Sequence, residues 1–464
     1  MNAMSDVHIV VLAAGKGTRM KSAVPKVLHQ LAGKPIIEHV LAAAAALSPR
    51  STTVVIGHQA EELRSALARH PHLQFVVQEP QLGTAHALLT AETVLHGKRG
   101  TLILLSGDVP ALSAPTLQSL IQVHTEAAAA ATVMTAIVPN PHGYGRIIRD
   151  GGKIARIVEE KDATGEERQV QEINAGIYAF DLPGLFDAVR SIGAANAQRE
   201  YYLPDLVSIY RAGGRRVETV TVNDPVEIQG INSRRELADL ARHIRRRTND
   251  TLMAAGVTLL DPDTAYIDPD AVIGTDTVIH PGVSIEGPTQ IGRGCTVYPG
   301  VRITRSRIAD DAAVLDHSII VDSSVGPGAS VGPFAHLRSA AEVGPHAKVG
   351  NFVELKKTVL GPGSKASHLA YLGDAVIGES VNIGAGTITC NYDGSRKQTT
   401  RIEDGAFIGS DTQLIAPVTV GRNAYVGTGT TIREDVPAGA LAVSAGRQRN
   451  IEGWVEQKRK KASE

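Results

Sequence analysis

The second part of this 464-residue chain repeats an aliphatic residue every six positions. A β-strand alternates its side chains with period two and an α-helix with period 3.6, so neither explains a period of six. A parallel β-helix does, because each hexad supplies one short strand and one turn, and the aliphatic side chains stack inside. The repeat is carried by Ile273, Ile279, Ile285, Ile291, Val297, Ile303, Val325, Val331, Leu337, Val343, Val349, Leu355, Ile377, Ile383, Ile402, Ile408, Leu414, Val420, Val426 and Ile432.

The glycines divide the chain into two architectures. Of the 46 glycines, 19 precede residue 256 and 27 follow residue 255, as expected if glycines make the tight corners of the coils. Before that point, strand-like stretches such as 9–12 and 102–105 alternate with Ala-rich, helix-like stretches, which predicts βαβ units around a mostly parallel sheet. We predict an α/β domain over 1–232, a linker helix over 233–255 and a β-helix domain over 256–464.

The overall composition excludes several classes of protein. The 47 basic and 48 acidic side chains leave a net charge of −1, so we expect no nucleic-acid partner. Two cysteines cannot make a disulfide framework, and no apolar run reaches the ~18 residues of a membrane span. We therefore expect a cytoplasmic protein without membrane insertion.

A glycine-rich segment follows the first predicted strand. It reads Ala-Ala-Gly-Lys-Gly-Thr-Arg-Met over residues 13–20, with Pro25-Lys26 downstream. Such a turn leaves backbone N–H groups free to face phosphate, although an ordinary βα turn has the same composition. The third glycine of a dinucleotide fingerprint is replaced by Met20, and the Gly-Lys-Ser/Thr ending of a Walker A loop is absent.

This segment resembles the sugar-1-phosphate nucleotidyltransferase family. The resemblance implies that Arg19 and Lys26 neutralise triphosphate charge during catalysis, although either is also compatible with a surface cation. It further implies Mg²⁺ held by Asp108 and Asn232, of which Asn232 alone is equally compatible with a helix N-cap. The nucleotide- and sugar-binding residues implied are Leu12, Ala13, Ala14, Gly15, Lys26, Gln78, Gly83, Thr84, Ser106, Gly107, Asp108, Gly145, Glu159, Asn174 and Asn232.

The repeat region carries polar segments that a spacer would not need. Segments 351–357 (Asn-Phe-Val-Glu-Leu-Lys-Lys), 364–371 and 382–387 (Asn-Ile-Gly-Ala-Gly-Thr) resemble the family of bifunctional N-acetylglucosamine-1-phosphate uridyltransferase/glucosamine-1-phosphate acetyltransferases. The resemblance covers nearly the whole chain and implies a left-handed β-helix. Acetyl transfer to an amine needs a proton acceptor, and histidine titrates in the right range. By resemblance the base is His368, oriented or tuned by Glu354, although most of the 16 histidines are expected on the surface or in the core.

The same resemblance implies the remaining contacts of the acetyltransferase. Glucosamine 1-phosphate would be held by Arg338, Lys356, Tyr371, Asn382 and Lys397. Acetyl-CoA would be held by Ala385, Asn391, Tyr392, Ser410, Thr428 and Arg447. Arg447 is a departure, since the family's arginine aligns with Ala445. Cys390 opens a polar lapse in the repeat, over 390–398, which we expect to leave the coil as a loop.

The preferred hypothesis is therefore a bifunctional enzyme. It acetylates glucosamine 1-phosphate from acetyl-CoA and then, with Mg²⁺, transfers uridylyl from UTP to the product, releasing pyrophosphate. The family implies a homotrimer formed through the β-helix. One alternative keeps nucleotidyl transfer alone and makes the β-helix an oligomerisation or regulatory domain. A second makes the β-helix a non-enzymatic binding module.

Overall fold

A computed structural model describes residues 6–444, 446, 448 and 450–463. The described chain divides into two compact units, one ending at Ile244 and the next beginning at Arg245. This division lies inside one long helix, whereas the sequence analysis set the domain limits at residues 232 and 256, on either side of it. The helices, in chain order, are α1 Ile36–Ala45, α2 Ala60–Ala66, α3 Thr84–Thr90, α4 Glu92–Leu95, α5 Ala114–Glu126, α6 Leu185–Arg190, α7 Asp205–Ala212, α8 Arg234–Ala254 and α9 Trp454–Ser463.

The first unit is built on a mixed but mostly parallel sheet. The strands of this unit are β1 Val7–Leu12, β2 Gln30–Leu31, β3 Lys34–Pro35, β4 Ser51–Ile56, β5 Leu73–Val77, β6 Thr101–Ser106, β7 Ala131–Ile137, β8 Arg146–Asp150, β9 Lys153–Val158, β10 Glu172–Asp181 and β11 Val217–Thr221. β2 and β3 pair only with each other, and the remaining strands form the main sheet. The order in the main sheet is β11-β7-β10-β6-β1-β4-β5, and β8 pairs with β10 and β9. Along this order the neighbouring strands are parallel except at β10, which runs antiparallel to β6 and β7. β8 is antiparallel to both β10 and β9.

Both faces of this sheet are buried. Ile9 and Val11 of β1 face one apolar cluster, which includes Ile37 and Leu117 of helices α1 and α5. Val10, between them, faces the opposite cluster together with residues of α3, α6 and α7. Because a strand covered on both sides needs no polar face, β1 is apolar apart from His8, whose Nδ1 atom lies 2.7 Å from the Ser51 hydroxyl.

The second unit is a parallel β-helix. Over the described residues its short strands form three sheets, which we call walls A, B and C. Wall A contains Thr258–Leu259, Val278–Ile279, Thr296–Val297, Ala313–Val314, Ser330–Val331, Lys348–Asn351, Lys365–His368, Asn382–Ile383, Phe407–Ile408, Tyr425–Val426 and Leu441–Ala442. Wall B contains Tyr266–Ile267, Ser284–Glu286, Arg302–Thr304, Ile319–Val321, His336–Arg338, Glu354–Lys356, Tyr371–Gly373, Ile388–Cys390, Gln413–Ile415 and Thr431–Ile432. Wall C contains Val272–Ile273, Gln290–Ile291, Arg307–Ile308, Ser324–Val325, Glu342–Val343, Val359–Leu360, Ala375–Ile377, Thr400–Ile402 and Val418–Val420.

The hexad residues fill the inside of these coils. Ile279, Ile285 and Ile291 are at most 3% exposed and lie on walls A, B and C in turn. The next coil repeats this order, so each aliphatic residue stacks on its counterpart in the neighbouring coil. The predicted fold class, an α/β domain followed by a hexapeptide β-helix, is confirmed. In the described ranges, no helix has the length and apolar character needed to cross a bilayer.

Candidate active sites

The carboxyl ends of neighbouring strands meet at one edge of the α/β sheet. β1 leads into residues 13–15, β5 ends directly before Gln78, and β6 ends in Ser106. The Gly107 N–H donates to the Leu12 carbonyl at 2.9 Å, which holds the ends of β6 and β1 together. These segments line a cavity of about 290 Å³. Ligands of open α/β sheets bind at this edge, so the cavity is the candidate nucleotide pocket.

The glycine-rich turn packs directly against Lys26. Gly17 has a φ of 58°, and a Cβ at this position would lie 2.7 Å from the Lys26 Cβ. Glycine therefore serves two needs here, since it tolerates positive φ and allows close approach. The Lys26 ammonium contacts the Asp108 carboxylate and donates to the Asn232 amide oxygen at 3.1 Å. The fold thus brings three residues from distant parts of the first unit to one point.

The Asp108 and Asn232 oxygens fit a magnesium ion. They converge on the Lys26 ammonium, so a positive charge is already held between them. Among the described residues no cluster of three or more His, Cys, Asp or Glu side chains is arranged to hold a metal. Mg²⁺ does not need such a cluster, because it typically binds one or two protein oxygens and completes its shell with water and substrate phosphate. A role of Asn232 as helix N-cap is not seen in these contacts, because Ser233 caps the Glu236 N–H.

The segment after β5 forms another wall of the pocket. Gln78 is buried, and its amide donates to the Gly83 carbonyl at 2.9 Å. Gly83 has a φ of 111°, and a Cβ there would lie 2.6 Å from the Tyr201 carbonyl oxygen. Thr84 begins α3 and lines the cavity as well. The Gln78 amide is thus held in the wall of the candidate nucleotide pocket.

Gly145, Glu159 and Asn174 lie together beside β10. The Asn174 N–H donates to the Gly145 carbonyl at 2.9 Å, and a Cβ on Gly145 would lie 3.1 Å from a Glu159 carboxylate oxygen. Asn174 also donates to the Tyr178 hydroxyl at 2.7 Å. Burial, and then the nearby Asp162 carboxylate, raise the pKa of Glu159. A carboxyl group of this kind is suited to accept or donate hydrogen bonds to sugar hydroxyls.

Two features of the first unit lie away from this pocket. Arg19 is exposed on the turn Thr18–Met20, in which Met20 is buried, and it lies outside the residues that line the cavity. A larger cavity, of about 560 Å³, lies at the amino ends of β4 and β5 beside α1, and its lining contains none of the predicted site residues. The chemistry is therefore assigned to the smaller cavity.

In the β-helix, several predicted residues lie in one column, at the same position of successive coils at the end of the wall A strands. Asn351 and His368 are register partners on wall A. Continuing the same register two residues past Ile383, Ile408 and Val426 leads to Ala385, Ser410 and Thr428. Parallel strands are about 4.8 Å apart, so this column extends roughly 14 Å from His368 to Thr428. An extended thioester arm laid along it would end at His368.

His368 is exposed, and its imidazole is held by a neighbour. The Nδ1 atom lies 2.6 Å from the Asn351 amide oxygen. When the Asn351 amide oxygen accepts in this contact, the proton lies on Nδ1 and the lone pair on Nε2. Glu354, the predicted orienting residue, instead accepts from Arg338 at 2.6–2.7 Å. The residue in contact with the His368 imidazole is therefore Asn351. The predicted catalytic role of Glu354 stays a prediction.

Three of the predicted sugar-phosphate residues, Arg338, Lys356 and Tyr371, lie on wall B, and Lys397 of the loop after Cys390 approaches Lys356. Arg338 and Lys356 are register partners in adjacent coils, and Tyr371 lies one coil beyond Glu354. The Lys397 amine first, and the Asp374 carboxylate second, raise the pKa of Lys356, whereas the neighbouring Lys356 lowers the pKa of Lys397. The fold therefore gathers several cations at one place, as the binding of a phosphate group requires.

Other predicted residues lie farther apart. Asn382 is on wall A, in register with Lys365 and Phe407. Asn391, predicted to contact acetyl-CoA, donates instead to the Asp374 carboxylate within the wall B cluster. Tyr392 is exposed on the loop that follows Cys390, and its hydroxyl donates to the Gly394 carbonyl. Arg447 lies outside the described residues.

Two contacts were not predicted from the sequence: that of Asn351 with His368 and that of Asp374 with Lys356. Asn351 is 17 residues before His368, which is one coil of this part of the solenoid, so the repeat length was the signal that could have found it. Asp374 is likewise 18 residues after Lys356. Both contacts join residues that are one coil apart in the β-helix.

The fold and the two sites define a two-domain transferase. The family description "MobA-like NTP transferase domain" matches residues 9–169, "GMPPB C-terminal domain" matches 256–341, and "Bacterial transferase hexapeptide (six repeats)" matches 399–434. A nucleotidyltransferase domain is thus joined to an acyltransferase-type β-helix.

Curated relatives match both domains at once. The chain is 50% identical over 459 residues to the bifunctional protein GlmU of Pelobacter propionicus, covering 99% of this chain and 100% of that protein. It is 51% identical to GlmU of Syntrophotalea carbinolica, covering 97% of each chain, and 47% identical to GlmU of Halalkalibacterium halodurans, covering 98% of this chain and all of that protein. The chain belongs to the GlmU family. The predicted resemblance and the prediction of a bifunctional transferase are confirmed.

Proposed function

We propose that the two sites catalyse consecutive steps in the synthesis of UDP-N-acetylglucosamine. The β-helix acetylates glucosamine 1-phosphate from acetyl-CoA, and the α/β unit then transfers uridylyl from UTP to the acetylated sugar phosphate. The observation that carries the proposal is the presence of two separate groups of predicted site residues, one around Lys26 and one around His368, in one chain.

Uridylyl transfer needs positioning and charge rather than a nucleophilic side chain. A phosphate oxygen of the sugar attacks the α-phosphorus of UTP in line, and pyrophosphate leaves. Lys26 lies where it can meet the charge that develops on the leaving phosphates, and the exposed Arg19 would add a second positive charge. Asp108 and Asn232 would hold Mg²⁺, which, when bound, neutralises phosphate charge.

Acetyl transfer uses the free Nε2 of His368. The base takes a proton from the glucosamine amine as the amine nitrogen attacks the thioester carbonyl. The C–S bond then breaks, and the imidazolium returns the proton to the leaving sulfur, which releases the thiol of CoA. Asn351 holds the imidazole in the required tautomer. Arg338, Lys356 and Lys397 would bind the phosphate, while Ala385, Ser410 and Thr428 would line the path of the thioester arm.

We further propose a homotrimer formed through the β-helix and a cytoplasmic location, where UTP and acetyl-CoA are made. An apolar ridge supports the first point. Phe334, Phe352 and Leu369 follow one another on adjacent coils next to His368, are 49%, 56% and 61% exposed, and all have positive φ. Exposed apolar patches of this kind mark protein contacts, so a second copy would cover the ridge and enclose His368.

Separate assays on one preparation test the two activities. Thiol release from acetyl-CoA with glucosamine 1-phosphate reports the first, and pyrophosphate release from UTP with N-acetylglucosamine 1-phosphate reports the second. We expect His368→Ala to abolish only thiol release and Asp108→Ala only pyrophosphate release. We also expect EDTA to stop pyrophosphate release alone. Loss of both activities with either substitution would refute independent sites, and absence of thiol release in the parent would favour the β-helix as an oligomerisation domain.

A further inference from the structure

A buried carboxylate lies inside the cluster of cations on wall B. Asp374 is 8% exposed and accepts from the Lys356 ammonium at 2.9 Å and from the Asn391 amide at 2.5 Å. The Lys357 ammonium is 3.9 Å from its other oxygen. The Asp374 N–H donates to the Lys356 carbonyl at 2.9 Å, so the backbone is tied to the same coil. One side chain thereby connects two residues that are predicted to bind substrate.

A negative charge here requires an explanation, because it opposes the binding of a phosphate. The wall B cluster contains four cations, Arg338, Lys356, Lys357 and Lys397, and the two carboxylates Glu354 and Asp374. Four positive charges less two negative charges leave +2. A phosphate monoester carries about −1.5 to −2 at pH 7, so the balance matches one phosphate.

The contacts of Asp374 also restrain groups that would otherwise repel. Lys356 is 12% exposed and lowers the pKa of the neighbouring Lys397, as two close ammonium groups do. Although burial alone would raise it, the bonds from Lys356 and Asn391 hold the pKa of Asp374 below its usual value. The carboxylate is therefore charged at neutral pH and gives Lys356 a fixed direction.

We propose that Asp374 is a positioning residue of the acetyltransferase site, which holds the Lys356 ammonium and the Asn391 amide where the phosphate of the acetyl acceptor binds. The inference rests on the proposed acetyl transfer. It makes Asp374 act through its neighbours rather than through the reacting atoms.

The test is Asp374→Asn, which removes the charge and keeps the shape. Asp374 has a φ of 48°, and Asn is among the residues that tolerate this region, so we expect the variant to fold. With a neutral amide in place of the carboxylate, Lys356 loses its charge-assisted hydrogen bond and the direction that this bond gives it. We therefore expect the KM for glucosamine 1-phosphate to rise about tenfold or more, kcat to change by less than about threefold, and the KM for acetyl-CoA to stay unchanged.

The simple charge explanation predicts the opposite result. Removing a negative charge would raise the balance to +3, so phosphate would bind more tightly and KM would fall. Inorganic phosphate used as a competitive inhibitor separates the two cases, since positioning predicts a higher inhibition constant and charge alone a lower one. An unchanged or lower KM in an active variant overturns the inference.

Asp322→Asn is the matched control. Asp322 also has positive φ at the turn after a wall B strand and pairs with Arg305 at 2.8 Å, but it lies outside the cation cluster. Both assays should be unchanged in this variant. If Asp374→Asn does not fold, Asn391→Ala tests the same contact from the other side, and an unchanged KM there also overturns the inference. A parent without thiol release would instead refute the proposed function itself.

Discussion

The two active sites are assembled from the sequence in different ways. The nucleotide pocket takes residues from the ends of β1, β5 and β6 and from segments near Lys26 and Asn232, which are more than 200 residues apart. The acetyltransferase site takes residues 16 to 18 positions apart, such as Asn351 with His368 and Lys356 with Asp374. A parallel sheet brings strand ends together at one edge, whereas a solenoid stacks each coil on the next.

This difference decides how far a local change spreads. In the α/β unit, Lys26 contacts residues from two distant segments, so a single substitution disturbs several elements. In the β-helix, a residue touches the coils immediately before and after its own, so damage stays within about one coil on either side. Substitutions in the two units should therefore differ in how many structural elements they disturb.

We expect Lys26→Ala to lower kcat/KM for uridylyl transfer by about 10²–10³-fold, because loss of one preorganised cation or donor at developing charge costs this much. The substitution also leaves the Asp108 carboxylate without its cation. Acetyl transfer should be unchanged, as should both activities in Lys153→Ala, a control at an exposed lysine at the start of β9. A parallel loss of acetyl transfer in Lys26→Ala would show that the sites are not separate.

The α/β unit should lose stability on acidification through His124. Burial lowers the pKa of His124 from 6.5 to about 4, and Nδ1 lies 3.0 Å from the Thr132 hydroxyl. Since the unfolded chain takes up the proton first, this stability is complete above pH 6.5 and is lost as the pH falls towards 4, up to about 3 kcal/mol.

Hydrogen exchange of α5 and β7 in the full-length protein measures this loss between pH 7 and 4.5. Strands of walls A and B serve as the internal comparison. In His124→Gln the additional acid sensitivity of α5 should be absent. Equal sensitivity of the parent and this variant would assign the effect to other groups.

We expect a smaller effect from Asn351→Ala. Removing the Asn351 oxygen frees the His368 ring to rotate and to change tautomer, so kcat for acetyl transfer should fall about tenfold. Asn351→Asp keeps an acceptor and adds a charge that raises the pKa of the histidine. In the Asp variant, activity should be largely retained, with the acidic limb of the pH–rate profile moved to higher pH. If the Ala variant is fully active, the imidazole does not need this partner.

Much of the fold was predictable because its signals are local and repeated. The six-residue period identified the β-helix and the residues inside it, such as Ile279 and Ile285. The glycine-rich segment before Lys26 led to the nucleotidyltransferase resemblance, which the matching family description confirms. The partner of His368 was not predictable in the same way, because a motif shows which residues recur and not which side chains touch.

The sequence by itself determined the architecture of each domain and the class of chemistry. Periodicity and motif spacing are properties of the chain order, and burial of aliphatic residues every six positions allows few folds. Only the tertiary structure decided the contacts: that Asn351 holds His368, that Glu354 pairs with Arg338, and that Asp374 holds Lys356. Side-chain pairing depends on the stacking register of coils to within a few ångströms, and no local pattern in the sequence carries that distance.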